Sequence, residues 1–181
     1  SNGMFDMRYI FKDTLVDTDP ELAVTFVDNH DTQYGQALES WVLEWFKPIA
    51  YALILLRQKG YPCVFYGDYY GVPSSNIPPV GDLQTLLTLR KERAYGIQHD
   101  YFDHPDIVGW TREGEKEHPD SGLAAIMTDS KGGTKEMYVG VQFAGMEFVD
   151  ALKRQEGKIV IDDEGYATFT VADGSISVWI N

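Results

Sequence analysis

Six consecutive residues, Phe26-Val27-Asp28-Asn29-His30-Asp31, hold the densest chemistry in the chain. An apolar run from Ala23 to Val27 stops abruptly at four polar residues. Three of these can ionise or coordinate, and nothing in their spacing favours a helix. A strand that emerges into such a group presents it at its carboxyl end, where parallel α/β folds keep their active sites. Strand alternation puts Asn29 and Asp31 on one side and Asp28 and His30 on the other, unless a turn at the strand end breaks the pattern. The plain alternative is a strand-end cap whose polar groups satisfy each other. A His-Asp pair also suits a phosphohydrolase metal site. Such sites need further His and Asp ligands on helices, whereas the other histidines here lie in later loops.

Two more clusters carry polar chemistry. Asp68 closes a second short apolar run, Pro62 to Tyr66, and either faces the same pocket as Asp31 or caps the next loop. The run from Ala94 to Asp106 is rich in oxygen donors and aromatic rings. Carboxylates outnumber histidines in it, which favours calcium over zinc, although a solvated linker has the same composition.

The elements that must position these groups follow from pattern. Ala23–Val27 is too short for a helix, and its β-branched and aromatic content suits a buried strand. Helical spacing of Trp45, Ile49, Ala52, Leu53 and Leu56 predicts a helical region from about Gln36 to Lys59, with Pro48 in the first turn of its main part and Gly60 as its stop. The run Pro62–Tyr66 then completes a βαβ unit, which implies a parallel pair and a crossover. A second helix spans Leu83 to about Arg93. From residue 96 the pattern changes to short β-rich runs near 107–112, 123–128, 135–142, 146–150, 158–162, 166–171 and 175–180. Turn residues separate them, as in an antiparallel sandwich. The domain boundary is expected near residues 94–98.

Composition sets outer limits. With 44% hydrophobic residues, 181 residues can bury a core in one or two domains. A formal charge of −13 repels phosphate backbones, so nucleic acid is an unsuitable partner, while hard cations are suitable ones. Cys63, the only cysteine, rules out an intrachain disulfide and is expected in the core. No apolar run approaches the ~18 residues of a membrane helix, so no membrane role is expected.

Three segments carry a family resemblance. FVDNHDTQ, from Phe26 to Gln33, is similar to the fourth signature region of the α-amylase family of glycoside hydrolases. GYPCVFYGDYYG, from Gly60 to Gly71, resembles the family's last barrel strand. AYGIQHDYFDHPDIVGWTREG, from Ala94 to Gly114, resembles the junction and first strand of domain C in bacterial liquefying α-amylases. The three stand in the family's order and spacing, and the likeness covers nearly the whole chain from Gly3 onward.

The resemblance implies α/β followed by all-β: the last two βα units of a (β/α)8 barrel in residues 1–95, then an antiparallel β-sandwich domain C in 96–181. A complete barrel takes roughly 250 residues. The family's nucleophilic Asp and acid Glu come from earlier barrel strands and have no counterpart here. Asp31 would be the transition-state-stabilising carboxylate, and His30 would bind hydroxyls of the same sugar. Asp28 and Asn29 would hold the strand end. Calcium at the barrel–domain C junction would take carbonyls of Gly3, Phe5 and His99 and carboxylates of Asp100 and Asp129. Phe5 stands where the family usually has Tyr. Starch or malto-oligosaccharide is the implied partner, and the part-barrel would leave an apolar face open to self-association. The alternatives are a non-catalytic glycan-binding or structural module, and a sister activity such as transglycosylation or release of a specific oligosaccharide.

Overall fold

The computed structural model describes residues 5–181. It is mostly β with a few helices, and its internal contacts divide it into two compact units. One is Phe11–Leu87; the other joins residues 5–10 to Thr88–Asn181.

The first unit opens with the one-turn helix α1 (Leu15–Thr18) and the two-residue strand β1 (Val24–Thr25). Helix α2 (Lys47–Leu55) carries the chain across to β2 (Tyr61–Pro62), which pairs parallel to β1 through Val24–Tyr61 and Thr25–Pro62. Pro48 sits in the first turn of α2, where its missing N–H costs nothing. The helix buries Ile49, Tyr51, Ala52, Leu53 and Leu55, so it is covered on nearly all sides rather than along one stripe.

Four expectations change here. Both strands are shorter than the apolar runs that announce them. The helical region shrinks to α2, with turns rather than helix over 36–46. Tyr66–Tyr70 forms helix α3 instead of ending a strand. Cys63 is exposed, not in the core: its N–H still donates to the Thr25 carbonyl at 2.7 Å, and strand alternation puts its side chain on the same open face as Tyr61. Helix α4 (Leu83–Glu92) follows and buries Leu83, Leu86 and Leu89.

The second unit is a stack of two antiparallel sheets. Its strands are β3 (Gln98–Tyr101), β4 (Ile107–Arg112), β5 (Leu123–Thr128), β6 (Gly133–Tyr138), β7 (Glu147–Asp150), β8 (Ile159–Val160), β9 (Tyr166–Val171) and β10 (Ile176–Ile180). The larger sheet has the order β3-β4-β5-β10-β7-β8, and β6 pairs with β9 in the smaller. Strand β9 alternates as its sequence predicts, with Phe169 and Val171 inward. Strand β10 does not: it lies between β5 and β7 and is buried on both faces, Ser177 included.

Met137, Phe148, Phe169 and Trp179 fill the space between the sheets. Polar groups stitch the layers as well. Thr111 Oγ1 donates to the Tyr138 carbonyl at 2.7 Å, the Tyr138 N–H donates to the Tyr101 hydroxyl at 2.8 Å, and Trp179 Nε1 donates to the Thr170 carbonyl at 3.1 Å. Gly109 permits a close approach between the layers: a Cβ there would lie 2.7 Å from both the Ala125 carbonyl oxygen and the Met137 sulfur.

Asp150 is a buried carboxylate satisfied wholly by backbone. Its Oδ1 accepts from the N–H groups of Leu152 (3.1 Å) and Val178 (3.0 Å), and its Oδ2 from those of Arg154 (2.9 Å) and Gln155 (3.0 Å). Replacing one oxygen by NH2 turns it toward N–H donors it cannot accept from. Asp150→Asn is therefore expected to destabilise the fold by about 1–3 kcal/mol. Urea unfolding checks this, and an unchanged midpoint would contradict the assignment.

Candidate active-site rim

Beyond Thr25 the chain leaves the β1–β2 pair and turns. The turn is built by Asn29, whose Oδ1 accepts from the N–H groups of Asp31 (2.9 Å) and Thr32 (3.1 Å). Thr32 Oγ1 accepts from the Asn29 N–H at 3.1 Å in return. An Asn side chain that mimics a backbone turn ends strand alternation. His30 and Asp31 consequently lie together at the surface, with side chains 81% and 61% exposed and Nε2 3.4 Å from Oδ1. An open imidazole–carboxylate pair can donate to and accept from hydroxyl groups of a ligand that reaches it.

Asp28 turns the other way and is buried. Its Oδ1 accepts from the Val42 N–H at 3.1 Å, and its Oδ2 lies 3.1 Å from Lys47 Nζ. Lys47 Nζ also donates to Asp68 Oδ1 at 2.7 Å, while the Tyr51 hydroxyl donates to Asp68 Oδ2 at 2.6 Å. Asp68 thus faces inward from the first turn of α3 and does not join Asp31. The charges of this cluster sit at the start of α2, where the helix dipole disfavours an ammonium and favours carboxylates.

Burial works to depress the Lys47 pKa, but the hydrogen bonds and charges of Asp68 and Asp28 outweigh it and hold the ammonium above the ordinary lysine range. Burial, then the neighbouring Asp68 carboxylate, pushes the Tyr51 phenol well above its usual value, so Tyr51 stays a neutral donor. Sequence reading missed Lys47. The one available signal is a lone lysine opening an otherwise apolar helix, Lys47-Pro48-Ile49-Ala50-Tyr51-Ala52-Leu53.

The expected calcium ligands are not gathered. Gly3 lies outside the described residues, and Phe5 is exposed. The His99 ring is engaged with Glu113, Nε2 to Oε1 at 2.5 Å, and Asp100 is exposed and accepts from Gln98 Nε2 at 2.9 Å. Asp100 pairs with Trp110, which pairs with Ala125. Asp129 therefore stands four residues further along and two strands across, roughly 16 Å away at ordinary sheet spacings. One cation cannot bridge that distance.

Register instead sets Asp106 opposite Asp129, one step beyond the Ile107–Thr128 pair. The adjacent Pro105 carbonyl accepts from the Met7 N–H at 2.7 Å, which brings residues 5–10 to the same end of the sheet. Two carboxylates with nearby carbonyls form an oxygen-only donor set, the kind a hard cation takes. Among the described residues, no three His, Cys, Asp or Glu side chains come together as a metal site.

No family model matches the chain. Over 181 residues it is 58% identical to an α-amylase of Geobacillus stearothermophilus, a match that takes in 99% of this chain and 33% of the relative. The chain belongs to the α-amylase family. It is also 52% identical over 182 residues to a glucan 1,4-α-maltohexaosidase of Bacillus sp. (strain 707), with 100% of this chain and 35% of that protein covered. The chain thus spans about a third of the length of these curated relatives. Its fold resembles that of a cyclomaltodextrin glucanotransferase with a three-domain ABC distribution, with a TM-score of 0.65 at 20% identity over 99% of this chain and 41% of the other.

In this α-amylase-family chain the buried cluster has a definite pH signature. A lysine whose folded pKa exceeds its unfolded value contributes stability that is fully present below about pH 10.5 and is lost as pH rises through the folded value. The stability gap between wild type and Lys47→Met is expected to stay level from pH 7 to about 10 and to narrow above. Urea unfolding of both proteins across that range measures the gap. A gap that widens with alkalinity would reverse the sign.

Proposed function

We propose that this chain is the carboxyl-terminal portion of a retaining α-amylase that hydrolyses internal α-1,4-glucosidic bonds of starch. Asp31 is its transition-state-stabilising carboxylate and His30 its sugar-binding partner. The observation that carries this reading is the His30–Asp31 pair, open in the turn that follows a parallel strand while its neighbour Asp28 is locked inside. The β1–α2–β2 unit is the repeating element of a (β/α)8 barrel, and on this reading residues 1–95 are the end of that barrel and 96–181 are domain C.

The chemistry follows from charge. Glycoside cleavage passes through an oxocarbenium-like state with positive charge at the anomeric carbon. A carboxylate fixed beside it lowers the barrier because it needs no reorganisation as the charge develops. Asp31 is held for this by the N–H bond from its own backbone to Asn29, and its side chain stays 61% exposed beside His30. His30 hydrogen-bonds hydroxyls of the same sugar and fixes its orientation. On this reading the nucleophile and the proton donor belong to the two thirds of the relatives' length that this chain does not span. Calcium, where bound, would be held by Asp106 and Asp129 with neighbouring carbonyls, and would supply structural cross-linking rather than bond chemistry.

The apolar side chains of Leu22, Val24, Phe26, Tyr61 and Tyr66 are exposed in the first unit. Such a surface calls for cover, and the 181-residue chain alone would find it in further copies of itself. Sedimentation should show concentration-dependent association, and a monomer at every concentration would contradict the open part-barrel.

In the full-length protein, Asp31→Asn is expected to lower starch turnover by at least about 10²-fold. The urea midpoint should hold, because the side chain is exposed. The 181-residue chain by itself should release no reducing sugar from starch. Turnover that survives Asp31→Asn would remove the transition-state role, and turnover by the isolated chain would remove the assignment of missing groups.

A further inference from the structure

We propose that Lys47 is a positioning residue for the rim: its buried ammonium fixes Asp28 and, through Asp28, the turn that aims His30 and Asp31. The proposal rests on the reading of that pair given above. Its geometric basis is a three-way junction within the first unit. Asp28 belongs to the segment leaving β1, Lys47 opens α2, and Asp68 lies in the first turn of α3. Lys47 Nζ is 3.1 Å from Asp28 and 2.7 Å from Asp68, and the three side chains are 4%, 2% and 3% exposed.

The cluster is closed on further sides. The Trp41 ring lies 5.4 Å from Lys47 Nζ, and Glu44 Oε1 lies 3.5 Å from it. Tyr51 donates to the Asp68 oxygen that Lys47 leaves. The Val42 N–H donates to Asp28, so the loop after the signature segment is tied to the same point.

Stability alone does not account for such an arrangement. A buried ion cluster is often matched or bettered by apolar side chains of the same volume. What apolar packing cannot supply is a fixed distance and direction at one backbone position. Asp28 is two residues from His30 and three from Asp31, with the Asn29 turn between them. A displacement of Asp28 is therefore handed directly to the exposed pair, and a shift of about 1 Å in a reacting group can cost about 10²-fold in rate. Lys47 itself touches no substrate on this account.

The test uses the full-length protein and two readouts: starch kinetics, and hydrogen exchange of the peptide covering residues 26–34 in the free protein. Lys47→Met is expected to lower kcat by about 10- to 10²-fold with KM little changed, and to quicken exchange in that peptide. Lys47→Arg keeps the charge and the donors and should recover part of both. Lys47→Met strands two carboxylates and can fail to fold, so Asp28→Asn is the second variant. It keeps an acceptor for Val42 and leaves Lys47 paired with Asp68, cutting only the arm to the rim. It should reproduce the kcat loss and the faster exchange.

A folded Asp28→Asn protein with wild-type kcat and wild-type exchange would overturn the proposal. So would a lower melting temperature alone, with kcat unchanged well below it, since that is the mark of a purely structural cluster. A wild type that exchanges as expected but turns over no starch would sink the amylase reading and leave the Lys47 tether standing on its exchange result.

Discussion

One ammonium between two carboxylates sets the geometry of the first unit. Strand β1, helix α2 and helix α3 are all short, and β1 and β2 share only two paired positions. Hydrogen bonding along so brief a ladder cannot hold a strand end in one place. The bonds from Lys47 to Asp28 and Asp68 do, at 3.1 and 2.7 Å, and they converge just behind the exposed His30–Asp31 pair. Charges removed from water are costly unless fully partnered. That cost is why Asp28, Asp68, Tyr51 and Val42 are all recruited to one point.

The second unit meets the same constraint by other means. Asp150 is buried and is satisfied by four backbone N–H groups from the turn after β7 and from β10. Arg112 is buried and donates to the Gly96 carbonyl through Nε at 3.1 Å and Nη2 at 3.0 Å. Burial, with a smaller contribution from Arg90, draws its pKa down to about 10. Backbone satisfaction of this kind rigidifies turns and joins sheets. Side-chain satisfaction, as at Lys47, links elements far apart in sequence.

The legible parts of the molecule were those governed by short-range pattern. Turn residues at regular spacing marked the strands of the second unit, and β9 shows the inward and outward alternation its sequence implies. The motif from Asp28 to Asp31 pointed to a strand end; β1 stops at Thr25, and the motif lies in the segment and turn that follow it. Position in a sheet was not legible. Strand β10 carries an alternating sequence yet is buried on both faces, because only topology places it between two neighbours. Strand β3, with Gln98, His99, Asp100 and Tyr101, has no apolar alternation and was not expected. That extending the β4–β5 ladder by one step sets Asp106 against Asp129 is visible only once the register is known. Lys47 was hidden for a different reason: a lysine reads as solvated until its two carboxylate partners, 19 residues before it and 21 after, are seen to meet it.

The account centres on His30 and Asp31 as parts of a sugar cleft, and a crystal structure of the full-length protein with a bound malto-oligosaccharide tests that most directly. It should show an Asp31 carboxylate oxygen and a His30 ring nitrogen within hydrogen-bonding distance of hydroxyls on one and the same glucose unit, at the bond to be cleaved. An oligosaccharide bound elsewhere, with both side chains still facing solvent, would contradict the account.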